Sequence, residues 1–512
     1  MPSLHDATVD LDPGHHRGVI DGRLFGSFVE HLGRCVYTGV FEPGHDSAEA
    51  SGFRRDVAEL VTELGVGLIR YPGGNFVSGY DWTDGIGPPE RRPRRLDLAW
   101  RSIETNRVGT DEFLAWASSL GVEPMIAVNL GTAGVREAAS LVEYCNIRGG
   151  THWSELRRTH GVDEPHAVRL WCLGNEMDGP WQIGHKSADA YAALAAETAK
   201  AMRMVDPGIE LVACGSSFHE MPTFGYWEST VLEQAGDHID YLSMHAYYEE
   251  EDGDTDSFLA SAVSMDSFID GVVATVDAVA ARRRSAHRID IAFDEWNVWY
   301  RSRFPGMDSF ALEEAGARIE DDYSTLDAVV VGDLLSSLLN HSERVRVACL
   351  AQLVNVIAPI RTEPGGPAWR QATFHVFAAV ARLARGHGLV ARVTSPGLRT
   401  RRYGDVPVVA ASASHDPETG SVAVFVTNRA PGATRVRLRH PAFPRWSVRS
   451  AELIAADAAG PRDREAAARV RLTPLPTSGD SRETNLVLPP RSWTVVHAHA
   501  GREDPADEWV RR

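Results

Sequence analysis

Along most of the chain, short unbroken apolar runs alternate with stretches whose apolar positions recur every three or four residues. The unbroken runs fall at 24–31, 66–71, 124–130, 168–176, 210–216, 241–248, 288–296 and 347–354. Each has strand length, and none alternates in polarity, so both faces of each strand are predicted to be buried, as in a parallel sheet covered by helices. Between them the spacing turns helical. Phe53, Val57, Leu60, Val61 and Leu64 share a face before Gly65, and Phe113, Trp116, Ala117 and Leu120 do so before Gly121. Ser187 caps a third helix, which carries Tyr191, Leu194, Ala195, Thr198 and Met202 and stops at Asp206-Pro207-Gly208. Further helices are predicted at 265–283 and 325–339. This alternation of strands and helices predicts an α/β fold, and so many units favour a (β/α)8 TIM barrel over an open doubly wound sheet. In either fold, ligands bind at the C-terminal ends of the strands.

The two ends of the chain follow another rule. Ala7, Val9 and Leu11 fall on one side of a short strand, and beyond residue 385 period-two positions such as Val422, Val424 and Val426, or Val436 and Leu438, are separated by turn clusters such as Asp416-Pro-Glu-Thr-Gly420. An antiparallel β-sandwich is expected there, jelly-roll-like, taking up the N-terminal strand. The expected division is 1–20 for that strand, 21–384 for the barrel, 385–500 for the sandwich and 501–512 for a frayed tail. The polar, Ala/Arg-rich stretch 456–484 reads as a long surface loop.

Composition narrows the partners. The net charge of −18 over 512 residues disfavours nucleic acid or an anionic membrane as main partner. Cys35, Cys145, Cys172, Cys214 and Cys349 are far apart and mostly inside apolar runs, so buried free thiols in a reducing compartment are expected. The first residues carry no basic and apolar leader pattern, and no run approaches the roughly 20 apolar residues of a membrane span. A cytoplasmic location is expected. Neither a His-x₃-His nor a His-Glu-x-x-His spacing occurs, so no catalytic metal or other cofactor is expected.

Polar residues gather where the apolar runs end: Glu30, Arg70, Asn75, Asn129, Asn175, Glu176, His245, Tyr247, Glu295 and Gln352. Glu176 and Glu295 close the fourth and seventh runs, each beside aromatic residues (Trp171 and Trp181; Trp296, Trp299 and Tyr300). Two carboxyls facing each other across a barrel mouth are what glycosidic cleavage requires, one holding a proton and the other ionised. A separation of about 5–5.5 Å would make the reaction retaining. Asp294 competes with Glu295, and strict strand alternation would let only one of the two point into the mouth.

Trp171-Cys-Leu-Gly-Asn-Glu-Met-Asp-Gly-Pro-Trp-Gln-Ile-Gly-His185 and Asp294-Glu-Trp-Asn-Val-Trp-Tyr300 resemble the acid/base and nucleophile motifs of the α-L-arabinofuranosidases of glycoside hydrolase family 51, in clan A. Phe28-Val-Glu-His-Leu-Gly-Arg-Cys35, Arg70-Tyr-Pro-Gly-Gly-Asn-Phe76, His245-Ala-Tyr247 and Ala351-Gln-Leu-Val-Asn-Val-Ile-Ala-Pro359 extend the resemblance over nearly the whole chain. It implies a retaining exo-acting enzyme acting on arabinofuranosyl oligosaccharides, with Glu176 as general acid/base and Glu295 as nucleophile. It implies sugar contacts from Glu30, Gly74, Asn75, Asn175, Tyr247 and Gln352, with Trp299 and Trp100 lining the site. Arg70, Tyr247 and His245 would support the glutamates. A homo-oligomer, often a hexamer, is implied as well. The segments 301–323 and 456–484 match the family least. The rival readings are another clan A retaining glycosidase, such as an endo-β-1,4-glucanase or β-xylosidase, and a non-catalytic carbohydrate-binding protein on the same scaffold.

Overall fold

A computed structural model describes residues 4–443, 445–457 and 464–501. Eight parallel strands close into a barrel: β1 (Gly26–Phe28), β2 (Leu68–Tyr71), β3 (Glu123–Val128), β4 (Leu170–Leu173), β5 (Glu210–Ala213), β6 (Tyr241–Tyr248), β7 (Asp290–Val298) and β8 (Val345–Leu350). They follow one another round the barrel in chain order, β8 pairing with β1, as expected of the TIM-barrel reading. Alternate residues divide between two cores. Phe28, Leu68, Met125, Cys172, Val212, Ala292 and Val347 pack together inside the barrel. Their neighbours, such as Ile69, Ile126, Trp171 and Phe293, face the surrounding helices. Burial on both faces is why these strands read as unbroken apolar runs.

The helices fall on the apolar stripes predicted for them. Arg55–Leu64 and Thr110–Leu120 end on Gly65 and Gly121 in left-handed conformation, and the Ser187 side chain caps Ala188–Val205. Ser261–Arg283 and Thr325–Asn340 supply the long outer helices of the second half. At the N-terminal end of the barrel, Arg23 forms two bonds to Glu123 (2.7 and 2.5 Å) and one of 2.6 Å to Glu210. Tyr241 adds a 2.9 Å bond to Glu210. This charged plug sits at the face where barrels keep stability rather than chemistry.

The C-terminal unit is a sandwich of a five-stranded and a seven-stranded sheet, joined by both N-terminal strands. His5–Asp10 enters the first sheet and His16–Val19 the second. Ala7, Val9 and Leu11 are buried, as the alternation predicts. One pairing departs from the antiparallel expectation: His5–Asp10 runs parallel to Thr434–Arg439. A parallel pair needs no hairpin and leaves no turn signal in the sequence. The stretch 456–484 is not one continuous loop. It holds a helical turn at Arg464–Ala467 and two-residue strands at Thr473–Pro474 and Ser478–Gly479, which pair with Glu452–Leu453 and Thr484–Asn485. Both short strands are exposed, so no buried periodicity marks them. Of the tail 501–512, expected to fray, Gly501 donates its amide to Arg445 O at 2.9 Å and the rest lies outside the described residues.

The seven-stranded sheet is buried on both faces. Its inner face packs within the sandwich, while Phe425, Ile454, Trp493 and Val495 join the barrel's outer core. Trp493 lies so close to Gly332 in helix Thr325–Asn340 that a Cβ there would come within 2.3 Å of its Cδ1. Beside it Arg429 makes a buried 2.6 Å ion pair with Asp333 of the same helix.

Candidate active site

The C-terminal ends of the barrel strands surround a cavity of about 360 Å³ lined by Glu30, Gly74, Asn75, Trp100, Glu176, Tyr247, Glu295, Trp299 and Gln352. Asn175, Arg70 and His245 stand directly behind that lining. All the sugar-site residues named from the sequence are therefore brought together. Asn129 is not: its side chain bonds the backbone of Tyr80, Gly131 and Thr132 and fixes its own loop.

Glu295 is buried near the end of β7. Arg70 Nη1 donates to its Oε1 at 2.7 Å and the Tyr247 hydroxyl to its Oε2 at 2.7 Å. Burial pushes the carboxyl above its ordinary range. The charge of Glu176 acts in the same sense, and His245 and Arg70 act against it. Glu176 follows β4, on backbone with φ of +45°, and its side chain is 10% exposed. Trp181 Nε1 donates to its Oε2 at 2.6 Å, and His245 Nδ1 meets its Oε1 at 2.9 Å. One ligand-type atom each from Glu176, His245 and Glu295 lie within 4.8 Å of one another. Burial alone would discharge His245, but Glu295 and Asp294 outweigh it and hold the imidazole well above its ordinary range.

Arg70 ties the two halves of the site together. Besides Glu295 it donates from Nη2 to Asn175 Oδ1 at 2.7 Å, and its guanidinium lies over the Phe28 ring at 4.9 Å. Asn175 Nδ2 approaches Asn75 Oδ1 at 3.4 Å. Across the cavity, Glu30 accepts from Phe76 N (2.9 Å), Trp100 Nε1 (2.8 Å) and Gln352 Nε2 (2.9 Å). Burial pushes this carboxyl up to about 8, with Glu295 adding to the effect. Gly74 lets it sit there, because a Cβ would stand 2.6 Å from Glu30 Oε2. Gln352 Oε1 is buried with no hydrogen-bond partner among the described residues, an acceptor left for a ligand hydroxyl.

Strict alternation fails at the decisive strand. Ser243 pairs with Ala292 and His245 with Glu295, so β7 carries one residue more than β6 in that interval. The resulting bulge turns both Asp294 and Glu295 inward. Asp294 accepts from Ser243 Oγ, lies 3.1 Å from Arg70 Nε and 3.4 Å from His245 Nε2, and is fully buried. It stands below the cavity and braces Arg70 and His245. Asp178 has a structural role that no pattern in the sequence assigns to it. It accepts from Ser217 N at 3.0 Å and from its hydroxyl, pinning the loop after β4 to the loop after β5. Burial raises it to about 6. Only its place two residues after Glu176 hinted at a role. The loop 301–323 supplies Arg301, Phe304, Met307 and Ile319 to the cavity wall.

Two family models match this chain: the α-L-arabinofuranosidase 1 domain over residues 60–265 and the α-L-arabinofuranosidase C-terminal domain over 294–492. An intracellular exo-α-(1→5)-L-arabinofuranosidase of Streptomyces lividans is 53% identical, over 98% of this chain and 76% of its own length. The chain belongs to the α-L-arabinofuranosidase family. An exo-α-(1→6)-L-arabinofuranosidase of Bifidobacterium longum is 50% identical, over 96% of this chain and 97% of that one. The solved structure of AbfB, a family 51 α-L-arabinofuranosidase from Bifidobacterium longum, superposes with a TM-score of 0.93 at 43% identity, covering 97% of this chain and all of that one. As a family 51 fold, the barrel and sandwich here follow the plan expected from the motifs at Asn175-Glu176 and Glu295.

Proposed function

We propose that this protein is a retaining, exo-acting α-L-arabinofuranosidase that removes terminal non-reducing arabinofuranosyl residues from arabinosylated oligosaccharides. The carrying observation is that Glu176, His245 and Glu295 present ligand-type atoms within 4.8 Å of one another, with both glutamates lining the cavity at the C-terminal ends of the barrel strands. Inverting enzymes keep their carboxyls about 6.5–9.5 Å apart to admit a water, whereas direct attack needs about 5–5.5 Å. One carboxyl oxygen of Glu176 and one of Glu295 lie within 4.8 Å, on the short side of that division, which supports a double displacement.

Glu295 attacks the anomeric carbon. Two fixed donors, Arg70 and Tyr247, favour its ionised form and aim it. Glu176, the general acid of this scheme, gives a proton to the departing glycosidic oxygen as that bond breaks. A covalent arabinosyl ester on Glu295 results. Glu176, now a base, takes a proton from water, which attacks the same carbon and releases arabinose and the Glu295 carboxylate. Asn175 faces the 2-hydroxyl, and Glu30, Asn75 and Gln352 hold the remaining hydroxyls with the Gly74 backbone alongside. Trp100 and Trp299 flank the ring. No cofactor enters this scheme. Relatives named as intracellular support a cytoplasmic enzyme acting on short, imported oligosaccharides. Among the described residues no helix is long and apolar enough to cross a membrane. The working form is proposed to be a homo-oligomer.

A panel of nitrophenyl glycosides tests the reading. Release from the α-L-arabinofuranoside, with retained configuration in the first-formed product, supports it. Preference for a glucoside or xyloside would overturn it. Glu295→Ala is expected to lose roughly 10³-fold or more in kcat. Glu176→Ala is expected to regain turnover when azide is added.

A further inference from the structure

We propose that the same cleft is a binding site for a divalent cation of the zinc class, held by Glu176, His245 and Glu295, and that this cation switches the enzyme off in competition with substrate. The binding stands on geometry alone, and the competition rests on the function proposed above. His245 Nδ1 lies 2.9 Å from Glu176 Oε1 and 3.6 Å from Glu295 Oε2. Tetrahedral zinc with bonds of about 2.0–2.2 Å spaces its ligand atoms roughly 3.3–3.6 Å apart. The two histidine–glutamate distances bracket that spacing. The three ligand-type atoms already lie within 4.8 Å, so a glutamate movement of about 1 Å completes the set.

The imidazole is prepared from behind. Its far nitrogen, Nε2, faces Asp294 Oδ1 at 3.4 Å, and Asp294 is itself held by Ser243 and Arg70. A carboxylate behind a histidine fixes the ring so that its other nitrogen points at a metal, and raises its donor strength. Here that other nitrogen points at both glutamates. Trp181 holds Glu176 Oε2 and Arg70 holds Glu295 Oε1, the oxygens the cation does not need, while the Tyr247 hydroxyl that donates to Glu295 Oε2 at 2.7 Å must turn aside. A water in the cavity completes four-coordination. Coordination releases the Nδ1 proton of His245 and the acid proton of Glu176 into solvent.

The donor set also chooses the ion. One imidazole and two carboxylates suit zinc or copper(II), while magnesium and calcium prefer oxygen donors in larger number. A cation here neutralises both glutamates and sits where the anomeric carbon must come. No sequence spacing could reveal this set, because its members end three different strands.

The test uses the full chain without an affinity tag, titrated with zinc chloride by calorimetry and in the arabinofuranoside assay. One zinc per chain is expected at this site. KM should rise with zinc while kcat holds, with recovery on adding EDTA and no effect of magnesium at the same concentration. Saturating arabinose should weaken zinc binding. His245→Asn and the isosteric Glu295→Gln should each lower zinc affinity at least about 30-fold, and Asp294→Asn roughly 10–100-fold. Circular dichroism checks that each variant is folded. Zinc binding that is indifferent to arabinose and to Glu295→Gln would overturn the proposal and point instead to surface histidines such as His16 and His387, whose rings lie 5.3 Å apart. Zinc binding as described in a chain that cleaves no arabinofuranoside would uphold the site and sink the function.

Discussion

Glu30 has three donors around its carboxyl and is buried. Its folded value near 8 stands above the ordinary 4.5, so the sign of its pH effect is set. Between those values the folded protein keeps a proton that the unfolded chain has released. Its contribution to stability is therefore fully present below about 4.5 and is lost as pH rises towards 8, by about 1.4 kcal/mol per unit. Glu30→Gln keeps the shape and cannot ionise. The variant is expected to gain on the wild type steadily from pH 5 to pH 8 in urea unfolding, and to stop gaining above that. Gly74 is the second residue where one atom decides. Gly74→Ala drives a Cβ into the Glu30 carboxylate, and kcat/KM is expected to fall about 10-fold or more while the fold survives, since Glu30 is a side chain that can give way.

At the scale of elements, β7 shows what the sequence could and could not say. Its apolar run and terminal Glu295 were legible, as were Asn175-Glu176 on β4, because strands buried on both faces leave an unmistakable run and the chemistry sits where the run stops. The bulge was not. Period-two reasoning assigns Asp294 and Glu295 to opposite faces, and only the register against β6 reveals the additional residue. Asp294 thus looked like a rival to Glu295 when it is the brace beneath it. Asp294→Asn keeps the volume but removes the charge that fixes Arg70 and His245. It is expected to lower kcat about 100-fold with a smaller change in KM, the cost of a misplaced reacting group. The short strands at Thr473–Pro474 and Ser478–Gly479 were illegible for a different reason. Two exposed residues on a sheet edge carry no burial pattern to read.

For the whole molecule, stability and chemistry occupy opposite ends of one barrel. Arg23 gathers Glu123 and Glu210 at the N-terminal face, far from Glu295. Arg23→Ala leaves Glu123 without its partner and Glu210 with only Arg169 and Tyr241. Unfolding free energy is expected to drop by about 2–4 kcal/mol, with kcat per folded molecule unchanged. The junction with the sandwich is set by shape. Gly332→Ala would force Trp493 away from helix Thr325–Asn340, and a loss of about 1–3 kcal/mol is expected in the same measurement.

The strand His5–Asp10 carries a consequence in time. Asp6 pairs with Arg435, 429 residues later in the chain. At about 5–20 residues per second, a ribosome needs roughly 20–90 s to make the segment between them. The barrel strands emerge in the order in which they pair, so the barrel can assemble as it is made. The first strand meanwhile waits with an unsatisfied edge, a target for chaperones or for neighbouring nascent chains. During synthesis the strand His5–Asp10 is therefore the vulnerable one, secured only when Thr434–Arg439 arrives.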